Sequence, residues 1–246
     1  MRPFIEMNPK AKRWYTITPE YVFGEALLRN AKSVFKEKGI EHVGNSYHSL
    51  QEKEFSGHLT TATAQNPDVL LILNFGDQSS DTLRQAVSFG MKKKMQILLA
   101  WSAGLEQFRS IGADVLEGTW LGAQYWHQVK APGNDALVKL CREKYGINPP
   151  YPLAGNYAGA KLILDAVAAA GTDDPAAVIK KLEGLKYDGP TGAEEIRAFD
   201  HQVIKDYYLL KGKGSSAMKD PDDFAQIVSS GKSFVTQAQS GCKMPA

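Results

Sequence analysis

The sequence predicts an α/β fold: a doubly wound lobe with a parallel sheet, followed by a run of helices. Two observations predict the first part. Short apolar runs of strand length alternate with amphipathic stretches from about residue 13 to 123, and Gly or Pro closes most of the helical stretches. That order calls for parallel strands joined by right-handed helical crossovers. A third observation sets the rest apart: after residue 127 come three helices in succession, with no run of strands nearby, so either they pack on the first lobe or their own sheet is not in this chain.

Residues 13–18 are aromatic and β-branched, as a strand requires. From 21 to 38, Val22, Ala26, Leu27, Ala31, Val34 and Phe35 recur at helical spacing, and Gly39 stops the helix. Residues 42–48 predict a second strand and 55–65 a second helix, which Asn66-Pro67 ends. In the run 68–74 the five residues between Asp68 and Asn74 are all apolar, the pattern of a strand buried on both faces. A helix at 80–89, a strand at 96–100, a short helix at 105–110 and a strand at 118–123 complete the alternation. Helices follow at 134–145, 154–170 and 174–185, the last with Pro175 in its first turn. Asp188-Gly-Pro-Thr-Gly192 is a turn, 204–211 a late strand, and 212–246 a polar stretch expected to lie along the surface. The predicted organisation is a doubly wound lobe at 11–126, a helical segment at 127–187, and a turn, late strand and tail at 188–246.

Composition narrows the function. With 29 Lys+Arg against 27 Asp+Glu in 246 residues, the net charge of +2 supplies no field to draw in nucleic acid or an anionic membrane. No apolar run approaches the roughly 18–20 residues that span a bilayer, and the first ten residues lack a signal-peptide core. Taken literally, such a chain stays in the cytoplasm. Cys141 and Cys242 form no CxxC motif and read as one buried helix thiol and one tail thiol. The histidines show no metal-binding spacing, and there is no GxSxG elbow, P-loop or GxGxxG after the first strand. Neither a cofactor nor an enzyme is predicted, and Lys92-Lys-Lys94 reads as a solvated turn.

In open parallel sheets, ligands bind at the carboxyl ends of the strands. Every such loop here carries an aromatic: Tyr21 and Phe23, Phe75, Trp101, then Tyr125 and Trp126. The set predicts a flat, largely apolar pocket, with Asp77, Gln78, Ser79, Ser102 and Gln124 as polar tethers. Ser79-Ser80 also stands where a helix N-terminus accepts a carboxylate.

These loops, in this order, resemble the solute-binding proteins of ABC importers of the branched-chain amino-acid (leucine-binding) type, with the type I periplasmic-binding-protein fold. The resemblance rests on Tyr21-Val-Phe-Gly24 before a long helix, Phe55-Ser56, Pro67-Asp-Val69, Leu83-Arg-Gln-Ala86 with Gly90, Glu117-Gly118, Tyr145-Gly146, Tyr157, Leu182 to Leu185, and Asp188-Gly-Pro-Thr-Gly192. It implies a protein, monomeric when full length, that closes two lobes on a small ligand and delivers it to a permease and its ATPase. It also places Phe23, Phe75 and Trp101 at ligand-touching positions. Amino-acid-binding members usually carry an acid near Trp101, so the resemblance implies an aromatic or apolar carboxylate here. The family begins with a signal peptide and the first half of the other lobe, neither of which matches this sequence. The resemblance thus implies that 11–126 is the complete C-terminal lobe, that the helices of 127–187 are the return segment of an incomplete second, N-terminal lobe, and that 188–246 holds the hinge crossing, late strand and tail. An N-terminally truncated or fragmentary reading frame is therefore expected, with periplasm the compartment of the full-length form and Cys242 bereft of a partner. A ligand-sensing regulatory domain of the same fold is the alternative, and a small doubly wound enzyme the third reading.

Overall fold

Buried β-branched and leucine side chains build the first sheet, and the structure describes residues 1–232 and 234–244 of this computed structural model. In chain order the elements are α1 (Arg2–Met7), β1 (Arg13–Pro19), α2 (Val22–Lys38), β2 (Glu41–His48), α3 (Ser56–Ala64), β3 (Val69–Ile72), α4 (Gly76–Ser88), β4 (Gln96–Leu99), α5 (Leu105–Ile111), α6 (Ala113–Leu116) and β5 (Trp120–Ala123). There follow α7 (Pro132–Tyr145), α8 (Tyr151–Ala170), α9 (Pro175–Leu182), β6 (Lys186–Gly189), β7 (Gly192–Ile196), β8 (Val203–Ile204), β9 (Tyr207–Gly212), β10 (Ala225–Gly231) and α10 (Gln237–Ser240). The fold is the α/β class expected. Residues divide into a first unit, Met1–Ala123 with Leu209–Ser229, and a second, Gln124–Tyr208 with Ser230–Ala246.

In the first unit the strand order is β10-β9-β5-β4-β3-β1-β2, and β1 pairs in parallel with both β2 and β3. The pairs β3–β4 and β4–β5 are parallel too. The chain winds outward from β1 in one direction to β2 and in the other to β3, β4 and β5. The point where the winding reverses, between β1 and β3, is where doubly wound sheets open a crevice for ligand.

One face of the sheet presents Trp14, Val69, Leu71, Leu98 and Trp120 to α2 and α1. Helix α2 answers with Ala31, Val34 and Phe35, three of the residues whose spacing predicted it, and with Leu28, while Val22 is exposed. Helix α1 was not expected, because six residues are too few to show a helical period and two of its side chains pack inward. Those two, Phe4 and Ile5, are buried, and Phe4 meets Trp14 and Trp120 edge-on at 5.3 and 5.2 Å. The expected surface course of 212–246 is corrected over part of its length. Residues 225–231 form β10, an edge strand beside β9, with Ala225 buried and Gln226 and Ile227 exposed. Lys92 also departs from its solvated reading: its ammonium donates to the carbonyls of Val115 and Glu117 at 2.5 and 2.6 Å, capping α6.

The second unit is built differently. Tyr125, Leu137, Cys141 and Ala154 form its small core, flanked by Tyr151, Leu153 and Tyr157. The Asp188–Gly192 turn closes an antiparallel hairpin of β6 and β7, to which β8 adds. Of the twenty residues of α8, Ala154 and Ala166 are buried, whereas Ile163 and Leu164 stand 54% and 68% exposed.

Candidate functional site

The loops that leave β1, β3 and β4 bring four of the predicted aromatics together in the first unit. Phe23 is the hub. Its ring lies 5.7 Å from Tyr21, 6.3 Å from Phe75 and 6.1 Å from Trp101, with the last two meeting it at 66° and 71°. Phe23, Phe75 and Trp101 are half-buried and Tyr21 is exposed, so the cluster has a packed base and an open edge. It stands at the reversal between β1 and β3.

Local chemistry fixes each ring. Tyr21 and Phe75 are the extended residues just ahead of α2 and α4, so each ring marks the point where strand gives way to helix. The Tyr21 amide donates to the Pro19 carbonyl at 2.9 Å and the Glu20 amide to His48 at 2.9 Å, which holds the first loop against β2. Gly24 has to be glycine: a Cβ there would stand 2.0 Å from the Pro19 carbonyl oxygen. Beyond Trp101, Gly104 adopts φ 84° and ψ −146°, a region that residues with a Cβ avoid, and so turns the chain into α5.

The predicted polar residues divide by what they already hold. Ser79 is fully buried; its hydroxyl donates to the Gly76 carbonyl at 2.8 Å and accepts from Gln107 at 2.6 Å. Ser80 makes the same pair of bonds at 3.1 Å each. Ser102 donates to the Gly122 carbonyl at 2.9 Å, and Gln78 to the carbonyls of Ser49 and Glu52 at 3.0 and 3.2 Å. These four brace loops. Asp77 is exposed in the first turn of α4. Gln124 belongs to the second unit, on the wall of a cavity of about 310 Å³.

The sequence reading passed over Gln107. Its amide nitrogen reaches Gly76, Ser79 and Ser80 in the first turns of α4, directly after Phe75, while its oxygen accepts from the Ala103 amide at 2.7 Å, two residues past Trp101. One side chain thus ties two aromatic loops. No periodicity marks it, because Gln between Glu106 and Phe108 reads as helix surface. Asn74 was missed too. Buried at the end of β3, it donates to Thr82 at 2.9 Å, and its carbonyl oxygen has no partner among the described residues.

Burial also tunes a histidine nearby. His48 is 3% exposed at the end of β2, bonded through Nδ1 to the Ser49 carbonyl and edge-on to Phe55 at 5.0 Å. Burial holds its pKa below the ordinary imidazole value, and the neighbouring His58 adds to that. Among the described residues no cluster of three or more His, Cys, Asp or Glu side chains is arranged to hold a metal ion. None of the described helices is long and apolar enough to cross a membrane. Cys141 is buried and Cys242 exposed, both as free thiols.

Comparison with known proteins agrees with this arrangement. The family model for periplasmic binding proteins matches residues 3–217. An amino acid ABC transporter substrate-binding protein from Pseudomonas fluorescens Pf-5 is 63% identical, covers 99% of this chain and superposes with a TM-score of 0.97. This chain spans 65% of the length of that protein. A periplasmic binding protein from Burkholderia mallei is 26% identical over 94% of this chain and 62% of its own, with a TM-score of 0.85. A solute-binding protein of an ABC transporter from Rhodopseudomonas palustris BisB5, solved with 3,4-dihydroxybenzoic acid, shares the fold at 19% identity, 96% and 64% coverage and a TM-score of 0.81. No curated protein matches the sequence. With most of its length under the family model, and with a parallel sheet whose aromatic loops gather at the winding reversal, the chain belongs to the periplasmic binding protein family.

Proposed function

We propose that this chain carries one lobe of an extracytoplasmic solute-binding component of an ABC importer, and that the ligand is an aromatic or apolar carboxylate. The carrying observation is the cluster of Tyr21, Phe23, Phe75 and Trp101, whose rings offer stacking surface and no anion to hold an ammonium group. The bound dihydroxybenzoate of the Rhodopseudomonas protein supports a ligand of this class. The Pseudomonas protein, described as an amino acid carrier, is the competing model. In this reading the protein binds and releases, and does no chemistry. The full-length form works in the periplasm as a monomer, between lobes that close on ligand, and hands it to a permease and its ATPase.

The exposed apolar side chains Ile163, Leu164 and Ile179 fit the same proposal. They are the surface on which the remaining third of a protein the size of the Pseudomonas relative would pack.

Thermal shift against benzoate, cinnamate, leucine and benzamide tests the ligand class. Aromatic carboxylates are expected to raise the melting temperature most; stabilisation by leucine alone would overturn the reading. Trp101→Ala is expected to weaken carboxylate binding by about 1–3 kcal/mol, and unchanged affinity would remove Trp101 from the site. Genes for a permease and an ATPase beside this one separate import from sensing.

A further inference from the structure

The second unit holds a cavity of about 310 Å³ with a lysine in its wall. That volume stands at the lower end of the roughly 300–1,000 Å³ of small-molecule pockets. Lys205 lies in the short link between β8 and β9 and is half-buried there. Its ammonium donates to the Gln124 carbonyl at 3.2 Å and stands 5.8 Å from the Tyr207 ring. No carboxylate lies within ion-pair distance of it among the described residues. An ammonium has three N–H donors, and one of these is used.

The rest of the wall is half apolar and half unspent. The rings of Tyr125 and Tyr151 line it, and neither the Gln124 amide nor the Tyr151 hydroxyl makes a hydrogen bond among the described residues. The acid in the wall, Glu194, is committed elsewhere. Buried, it accepts from the Tyr187 hydroxyl at 2.8 Å and from the Thr191 amide and hydroxyl at 2.9 and 2.7 Å. Those three donors spread its charge and fix the Asp188–Gly192 turn, which leaves Lys205 as the charged group with spare donors on the wall. Burial lowers the pKa of Lys205, with Glu194 opposing that shift from a distance. A half-buried cation with spare donors gains from an anion within hydrogen-bond reach, because a charge-assisted bond is about twice as strong as a neutral one.

We propose that this cavity binds a small monocarboxylate with a flat or apolar body, its carboxylate on Lys205 Nζ and its body against Tyr125 and Tyr151. The site lies wholly within the second unit and does not rest on the reading of the aromatic cluster around Phe23.

Benzoate is the probe, titrated into the full chain and followed residue by residue in amide NMR spectra, with benzamide as the neutral isostere. Benzoate is expected to shift the amides of Gln124, Tyr151, Asn156 and Thr191 and to bind at least about tenfold tighter than benzamide there. Lys205→Met is expected to weaken that binding by about 10- to 100-fold, the range of a hydrogen-bonded charge. Equal affinity for the two probes, native-like benzoate binding by Lys205→Met, or no shift of those four amides would each overturn the site. Were Lys205→Met not to fold, the benzoate–benzamide contrast on the native chain decides alone. Shifts confined to the loops of Tyr21, Phe75 and Trp101 would leave the aromatic cluster standing and remove this cavity.

Discussion

Helices α4 and α8 each carry an apolar stripe and meet opposite fates. In α4, Leu83 and Ala86 are fully buried, and Thr82 with them, beneath the loops of the candidate site. In α8, twenty residues long, Ile163 and Leu164 remain more than half exposed. The difference is not propensity, since α8 is the richer in alanine and leucine and the better helix former. It is the presence of a sheet. An amphipathic helix is stabilised chiefly by what its apolar stripe covers, and the first unit supplies seven strands where the second supplies a three-stranded antiparallel sheet.

One substitution made in both helices breaks or keeps that contrast. Leu83→Ala is expected to cost about 2–5 kcal/mol, the transfer term plus a cavity beneath α4. Leu164→Ala is expected to change stability by no more than about 0.5 kcal/mol, as at other exposed positions. Hydrogen exchange, read separately over each unit in the native chain and both variants, measures the two costs. A Leu164→Ala cost above about 2 kcal/mol would mean that α8 is covered in solution, and the contrast would fall.

What the sequence disclosed follows the same division. The first unit was legible because its strands pair with near neighbours and each has its own helix, so local pattern and global fold agree. The clustering of Tyr21, Phe23, Phe75 and Trp101 was legible for a related reason: strand ends are visible in the pattern, and the loops that follow neighbouring parallel strands lie side by side. What escaped depended on distant partners. Helix α1 is held by Trp14 and Trp120, far apart in sequence, and β10 exists because β9 offers an edge. Gln107 joins two loops 27 and more residues apart in bonds that no spacing rule anticipates. Ser79 and Ser102 looked like tethers because hydroxyls at strand ends are ambiguous until their partners are known.

Two substitutions sharpen the first unit's side of the contrast, by asking whether its site is held as firmly as its core. Gly24→Ala drives a methyl toward the Pro19 carbonyl, and overpacking of this kind costs about 1–3 kcal/mol. The loop of Tyr21 and Phe23 must shift to relieve it, so aromatic carboxylate affinity is expected to fall along with the melting temperature. Gln107→Leu keeps the volume and removes the tie between the Phe75 and Trp101 loops. It leaves the Ala103 amide unpaired, at a cost of about 1–3 kcal/mol. Faster hydrogen exchange in both loops is expected; faster exchange in one alone would show that Gln107 does not couple them.

The smallest expected effect is a pH dependence confined to the first unit. His48 is buried with its pKa held below the ordinary value, chiefly by desolvation. The unfolded chain therefore takes up a proton at about pH 6.5, before the folded one does. Above that pH both states are neutral at this residue and it imposes no penalty. As pH falls from about 6.5 toward the lowered folded value, the unfolded state is stabilised and the first unit loses stability; below the folded value the loss is complete and constant. His42, also lowered by burial, acts in the same direction. His48→Leu removes one of these protons and keeps the contact with Phe55, so its stability is expected to fall less than that of the native chain between pH 7 and pH 5. Urea unfolding of the two proteins at both pH values reads the difference, and parallel losses would mean that His48 is protonated equally in the folded and unfolded chain.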